Sequence, residues 1–353
     1  MKKNILKIFK GIGIIIIIFI VIRLFCPAWT PAIKGENSIS KLTEVTINDA
    51  DLTVMIRGND KNNPVLIFVH GGPCCSEIPY VRKYQENLEK DFTIVHYEQR
   101  GSGKSYQFGK DYSAVTASTH VEDLIALTEY VKEYLEKEQV ILLGHSYGTY
   151  IATMAAAGRP DLYKAYIGIG QMSDTVDSEL SSLGKCIGAA KKAGEQKAVA
   201  RLKSMEEAIS SGESITPRDY VRKYGFAARK IDDNMDYLKA FLFGTEYNLR
   251  DVIGFYTASI KYQDGLIQEA LDKPIMDIVT EINIPVYFVM GKYDGMTSPE
   301  VAESYLHSLT GEGVKEFVLF EESAHYPQFE EEERFYHWML NCIDSFAGKE
   351  HLY

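Results

Sequence analysis

Cysteine is scarce and poorly spaced for structural use. The five residues Cys26, Cys74, Cys75, Cys186 and Cys342 show neither the paired spacing of a zinc site nor a framework of bridges, and adjacency disfavours a mutual disulfide between Cys74 and Cys75. Free thiols are expected, with no metal and no other cofactor. Basic residues are in deficit too: 38 Lys and Arg against 49 Asp and Glu leave a net charge of -11. That argues against nucleic acid, or an anionic membrane surface, as partner for the bulk of the chain. A glycine is missing where nucleotide binding would need one. Gly103-Lys104-Ser105 resembles the end of a phosphate loop, but the position five residues before Gly103 is Glu98, whose charge would repel phosphate.

Membrane-type sequence is confined to the first thirty residues. Lys2, Lys3, Lys7 and Lys10 precede an uncharged run over 11–22, extended by Ile5, Leu6, Ile8 and Phe9 before it and by Leu24 and Phe25 after it. About 20 helical residues cross a bilayer core, a length reached here if Lys7, Lys10 and Arg23 snorkel toward the interfaces. Residues 1–27 are therefore expected to form an uncleaved N-terminal transmembrane helix. Its four lysines would hold the N-terminus in the cytoplasm and place the adjoining domain outside. The alternative is secretion after signal cleavage, for which Arg23-Leu24-Phe25-Cys26-Pro27 is a poor processing site. Residues 28–43, with Pro31, Gly35, Asn37, Ser38 and Ser40, read as a linker.

Beyond residue 43 the chain alternates strands with helices, the pattern of an α/β domain with a mostly parallel sheet. Residues 44–57 alternate around Asn48-Asp49-Ala50-Asp51 and predict a hairpin. Continuous apolar runs at 65–69, 92–97, 140–143, 165–169 and 284–290 predict strands buried on both faces, and 316–320 predicts a last one. Helices are predicted at 81–90 and 120–135. Between the runs at 165–169 and 284–290 the chain changes character: 173–280 is helical (185–209, 217–229, 235–243, 258–271) with no convincing strand. Such a block inserted between two sheet strands reads as a cap over a site. The expected division is thus 1–27 anchor, 28–43 linker, 44–172 first part of the core, 173–280 helical cap and 281–353 second part of the core.

The run at 140–143 leads into Gly144-His145-Ser146-Tyr147-Gly148 and then into a small, apolar helix. Strand, sharp turn and helix are the context in which G-x-S-x-G marks a nucleophile elbow. Small residues two before and two after the serine let the backbones of strand and helix pass closely. Unpaired N–H groups at the helix start suit an oxyanion beside Ser146. A capping serine is the plain alternative, so the partners decide. Serine needs an imidazole to take its proton and a carboxylate to orient that imidazole. Asp294 comes just after the strand at 284–290, and His325 is the one histidine on a loop after a late strand. Asp174 is the rival acid, but the chain order Ser, Asp, His favours Asp294. Loops at the carboxyl ends of parallel strands converge on one crevice, which allows Ser146, Asp294 and His325 to meet. Upstream, His70-Gly71-Gly72-Pro73 ends the strand at 65–69 and offers the Gly72 N–H as a second oxyanion donor beside that of Tyr147. His70 is expected to be structural, and His145 must point away from the site.

With those strings together, and Gln99-Arg100-Gly101-Ser102-Gly103, Gly291-Lys292-Tyr293-Asp294 and Ala324-His325 beside them, the chain after residue 43 resembles the α/β-hydrolase superfamily, in the branch of proline iminopeptidases and related serine peptidases. The resemblance implies an α/β-hydrolase fold with an eight-stranded, mostly parallel sheet and a helical cap, and hydrolysis without a metal. It also implies cap carboxylates that bind the free amino group of a short peptide, for which Glu206, Glu207, Glu213 and Glu246 are candidates. Cys74 and Glu98 depart from the glycine and aspartate usual in that branch, and the resemblance implies that both border the pocket. The leading expectation is a serine aminopeptidase working through an acyl-enzyme. An esterase of small esters or lipid-derived acyl groups, and a binding protein on the same fold without the chemistry, are the alternatives. No oligomeric state follows from the sequence.

Overall fold

The computed structural model describes the backbone of residues 2–346 and the side chains of residues 9–342. The charged flank Lys2, Lys3 and Lys7 and the tail 347–353 of the second core segment lie outside what is described at side-chain level.

Eight strands form one sheet: β1 (Ile39–Ile47), β2 (Ala50–Gly58), β3 (Val65–Val69), β4 (Thr93–Tyr97), β5 (Val140–His145), β6 (Tyr163–Ile169), β7 (Val286–Gly291) and β8 (Lys315–Phe320), in the order β1-β2-β4-β3-β5-β6-β7-β8. The β1–β2 and β2–β4 pairs are antiparallel and the rest are parallel. The hairpin begins at Ile39, earlier than the alternation from Glu44 implied, and turns on two residues only, Asn48 and Asp49, both at positive φ. That is the turn geometry that Asn and Asp tolerate best.

The apolar runs are continuous because both faces of the sheet are covered. In β3, Val65, Ile67 and Val69 point into one apolar cluster, packed with the helices Ala117–Tyr134 and Tyr147–Gly158. Leu66 and Phe68 point into a second, which is closed by Phe335 and Met339 of the last helix, Glu332–Phe346. A strand with two buried faces has no polar side to show. β3 and β5 are neighbours, with Val69 opposite Gly144, and the order in which the chain adds strands to the sheet reverses between them. The loops leaving their carboxyl ends therefore face each other across a switch point, the usual place for a ligand.

Two predicted helices are much shorter than the pattern implied. Over 81–90 there is a single turn at Val81–Lys83 and another at Leu88–Asp91. Tyr84, which follows the first turn, stacks on Phe329, and Glu89 of the second turn pairs with the buried Arg57 at 2.7 Å. The stretch predicted over 217–229 is helical only at Arg218–Lys223, and Gly225, at φ +74, ends it. The chain beyond it runs irregularly to Asp232.

The helical block lies between β6 and β7 and includes Thr175–Lys192, Asp233–Phe243 and Leu249–Asp272. One tie to the core runs through Glu98. Its carboxylate accepts from Tyr247 Oη of the block and from the backbone N–H groups of Lys104 and Ser105, while Lys104 Nζ pairs with Asp251 at 2.8 Å. The glutamate that disqualified a phosphate loop thus closes that loop on itself.

Residues 2–25 form one helix, Lys2–Phe25. Arg23, expected to reach toward an interface, turns instead to the helical block and donates to the carbonyl oxygens of Phe241, Gly244 and Tyr247 at 2.7–2.8 Å. Three acceptors otherwise left open at a helix end outcompete free water for a planar five-donor group. Among the described residues no helix is long and apolar enough to cross a membrane.

Burial pushes the Glu98 carboxyl up to about 7, against the pull of Tyr247 and Lys104. The folded chain therefore holds this proton to a higher pH than the unfolded chain does, and stability falls as pH rises between its ordinary value of 4.5 and about 7. Glu98→Gln removes the titration; its Oε1 still accepts from the Lys104 and Ser105 N–H groups, and its Nε2 donates to Tyr247 Oη in place of accepting from it. Its melting temperature relative to wild type should climb between about pH 5 and about pH 8, by the equivalent of up to about 3 kcal/mol. A pH-independent difference in thermal unfolding would refute this.

Candidate active site

The elbow is built by close approach. Ser146 sits between β5 and the helix Tyr147–Gly158 with φ 54° and ψ -126°, a left-handed conformation that a side chain adopts only when its surroundings enforce it. Its N–H is held by the Ile169 carbonyl at 2.9 Å. Gly148 shows why no larger residue fits, because a Cβ there would lie 2.0 Å from the Val69 carbonyl oxygen. On the facing loop Gly72 has φ +113°, open to glycine alone at low cost.

The loops after β7 and β8 bring Asp294 and His325 together. His325 Nδ1 donates to Asp294 Oδ2 at 2.8 Å, and both side chains are buried. Asp294 Oδ1 accepts from the N–H groups of Met296 and Thr297 at 2.8 and 3.0 Å, and Oδ2 from Thr297 Oγ1 at 2.9 Å. Burial alone would raise this carboxyl, but the His325 charge and these donors outweigh it and hold it below the usual aspartate range. His325 Nε2 is buried and has no hydrogen-bond partner among the described residues. Ser146, His325, Gly72 and Tyr147 all line one cavity of about 400 Å³ between sheet and helical block, whereas Cys74 and Glu98, expected at its border, do not line it, Glu98 being engaged by Tyr247, Lys104 and Ser105. The N–H of Tyr147 belongs to the first turn of its helix, where no intrahelical acceptor exists. Asp174, the rival acid, caps the helix Thr175–Lys192 through the Asp177 N–H at 2.8 Å.

The short irregular stretch after Gly225 grips both loops. The Phe226 carbonyl accepts from Gly295 N–H at 2.8 Å and the Ala227 carbonyl from His325 N–H at 3.0 Å. Lys185 Nζ donates to the Asp294 carbonyl at 2.8 Å. The cap therefore helps to position the acid and the imidazole as well as roofing the cavity.

One functional neighbour escaped sequence reading. His145 does point away from the cavity's centre, and its Nδ1 meets Glu77 Oε1 at 2.5 Å while Nε2 donates to the His325 carbonyl at 3.0 Å. Its ring lies 4.8 Å from that of His325. Burial would strip the proton from His145, but the Glu77 charge and hydrogen bond overcome that and raise its pKa. Glu77 is driven up by burial and pulled further down by His145. The clue was a lone glutamate four residues past Pro73 in an otherwise uncharged loop. His70, by contrast, is pushed down to about 4 by burial and stays neutral, accepting from Gln99 N–H at 3.1 Å.

The cap carboxylates named from the resemblance are corrected. Glu206, Glu207 and Glu213 are exposed, and Glu246 is buried against Arg82 at 2.8 Å; none of the four lines the cavity. Helical amphipathicity puts such glutamates outward by default. The cap carboxylates that do line it are Glu179, Asp233 and Asp264. Glu179 is paired with Arg218 and Asp233 with Arg222, both at 2.5 Å, whereas Asp264, solvent-exposed at the cavity's edge, holds no ion pair or hydrogen bond among the described residues. Among the same residues no His, Cys, Asp and Glu cluster could hold a metal.

The Glu77–His145 pair makes a stability prediction. Glu77 contributes fully above its ordinary value of 4.5, because its folded pKa lies lower, and His145 contributes fully below 6.5, because its folded pKa lies higher. Between those values Glu77→Ala should cost about 3 kcal/mol, the order for removing one partner of a buried pair. The loss relative to wild type should shrink as pH rises through the elevated His145 pKa. Denaturant unfolding at several pH values checks the slope, and a loss that grows with pH contradicts it.

A family model described as the alpha/beta hydrolase fold matches residues 64–193. A probable aminopeptidase, YbaC, of Bacillus subtilis (strain 168) is 31% identical over 303 residues, covering 85% of this chain and 95% of that one. A proline iminopeptidase of Saccharolobus solfataricus is 25% identical over 309 residues, covering 82% and 86%. Among solved structures, a proline iminopeptidase-related protein of Thermus thermophilus superimposes with a TM-score of 0.60 at 20% identity, covering 88% of this chain and 100% of that one. With that fold, an elbow serine and a buried imidazole on one cavity, and an aminopeptidase relative spanning most of its length, this chain belongs to the α/β-hydrolase family as a proline iminopeptidase-like hydrolase.

Proposed function

We propose that the protein is a serine hydrolase that cleaves the N-terminal amide bond of short peptides through an acyl-enzyme. The observation that carries the reading is the free, buried Nε2 of His325 on the cavity that Ser146 also lines, with Nδ1 held by Asp294. In the first half-reaction Nε2 takes the Ser146 hydroxyl proton as Oγ attacks the acyl carbon. The N–H groups of Gly72 and Tyr147 would hold the oxyanion, and Asp294 stabilises the imidazolium. Nε2 then gives its proton to the departing amine. Water enters and loses a proton to the same nitrogen as its oxygen attacks the acyl carbon; the bond to Ser146 Oγ then breaks, Oγ takes that proton back from Nε2, and the acid is released.

The peptidase form of the reading is supported by the relatives' names and by Asp264. An ammonium group entering the cavity finds Glu179 and Asp233 already neutralised by arginine, and Asp264 unpaired among the described residues. The N-terminal helix, apolar from 11 to 22 behind a lysine-rich start, would hold the enzyme on a membrane with its catalytic domain outside.

Ser146→Ala should lower turnover by about four to six orders of magnitude and abolish labelling by a fluorophosphonate probe, with the fold retained by circular dichroism. Wild type should hydrolyse prolyl or other aminoacyl arylamides; robust turnover of short acyl esters with none of arylamides would replace the peptidase by an esterase. Asp264→Asn should raise KM for arylamides by about two- to fivefold, the worth of one solvent-exposed ion pair, and leave acetyl esters unaffected. Equal effects on both substrates would remove Asp264 from ammonium recognition.

A further inference from the structure

Two neighbouring cap helices each turn an apolar stripe to the outside. On Asp233–Phe243 it is Met235, Leu238 and Leu242, and on Leu249–Asp272 it is Ile253, Tyr256 and Ile260. Both have the i, i+3, i+7 spacing that on a surface helix ordinarily faces a core. Among the described residues no core lies over them: Ile253 and Tyr256 are 53% and 52% exposed, and Ile260 81%. The stripes adjoin through Phe241 and Tyr256, whose rings are 5.8 Å apart. Scattered exposed apolar residues need no explanation, but a contiguous patch does.

The patch continues onto the N-terminal helix. Phe243, 73% exposed, touches Phe19 with ring centroids 6.4 Å apart, and the three bonds from Arg23 clamp the end of that helix to the same corner of the cap. From residue 11 to residue 22 the helix is apolar on every side, with Ile14, Ile15, Ile16, Ile17 and Ile18 all exposed. A helix of that kind needs apolar surroundings all round. A protein groove would cover one side of it, whereas lipid covers all sides and the adjoining cap patch as well.

We infer that the outer face of the helices Asp233–Phe243 and Leu249–Asp272 beds into the surface of the same lipid bilayer that receives the N-terminal helix. The inference rests on the proposed membrane attachment and goes beyond it, because an anchor alone leaves the cap free in water. Substrate entry is affected as well. On Leu249–Asp272 the stripe at 253, 256 and 260 runs on, within an arc of roughly 100° at 3.6 residues per turn, to Gln263, Asp264 and Ile267, which line the catalytic cavity. The cavity's rim is thus continuous with the lipid-facing surface, and the favoured substrates are those that partition into the interface.

The test uses the full chain with Trp29→Phe to lower background, in phosphatidylcholine vesicles with and without bromine at the shallow acyl positions. Ile260→Trp places a reporter on the patch. Val314→Trp, exposed before β8 at the opposite end of the strands, is the control. Interfacial helices sink about 5–10 Å into the headgroup and acyl boundary, so brominated lipid should cut the reporter's emission by about twofold and leave the control unchanged. Flotation with the vesicles reads the anchor separately. A chain that floats while its Ile260→Trp emission is unquenched keeps the anchor and overturns the inference. Shielding of that emission that needs no lipid and disappears on dilution assigns the face to a second copy and overturns it as well. Absence of flotation removes the membrane attachment and the inference together. Fluorophosphonate labelling reports on the hydrolase reading in all cases.

Discussion

The site depends on keeping one carboxylate ionised where water cannot reach it. Asp294 is fully buried, and an isolated buried carboxylate would take up a proton rather than bear the cost of desolvation. Four donors prevent that: two backbone N–H groups, the Thr297 hydroxyl and the His325 ring. Every one of them belongs to a loop whose path is held from the cap, through the carbonyls of Phe226 and Ala227 and the ammonium of Lys185. An insertion in the sequence thus became part of the electrostatic support of the core's own loops. The cap could not be deleted without freeing the imidazole it steadies.

The buried histidines show how much a single partner decides. His70, His96 and His120 are each pushed down to about 4 by burial, so they are neutral and act as hydrogen-bonding wedges. His145 is no less buried, yet its pKa moves the other way because Glu77 lies against it. The result is a second carboxylate–imidazole pair behind the first, joined to it through the His325 carbonyl. With both members charged, the rear pair adds no net charge next to His325. It fixes the backbone of the histidine that the front pair uses.

Much of the architecture was readable because it rests on local rules. Strands buried on both faces read as unbroken apolar runs, and the elbow reads as glycines at the two places where backbones nearly touch, as Gly148 does against Val69. Topology alone brought the loops carrying Ser146, Asp294 and His325 to one end of the sheet, where Ser146 and His325 line the cavity and Asp294 lies buried behind the His325 ring. What stayed hidden depends on partners distant in the chain. Helical periodicity over 81–90 and 217–229 was only partly realised, because Tyr84 is drawn onto Phe329 between two short turns and Gly225, at φ +74, ends the second helix. Arg23 looked like a membrane-edge residue until three open carbonyls more than two hundred positions away gave it a better site.

The cap carboxylates carry the same lesson into chemistry. Glu246 is among the most buried acids in the cap, which on its own would suggest a ligand site, yet its oxygens are taken by Arg82, Thr30 and Thr245. Burial with a full set of donors marks structure. Glu179 and Asp233 face the cavity but arrive with an arginine each, so they present polar shape and little net charge. Asp264 differs from all of them in having no partner among the described residues. Among the cap carboxylates on this lining, Asp264 is the one whose charge is met by solvent instead of by an arginine, so an entering cation would displace water there and not a protein partner.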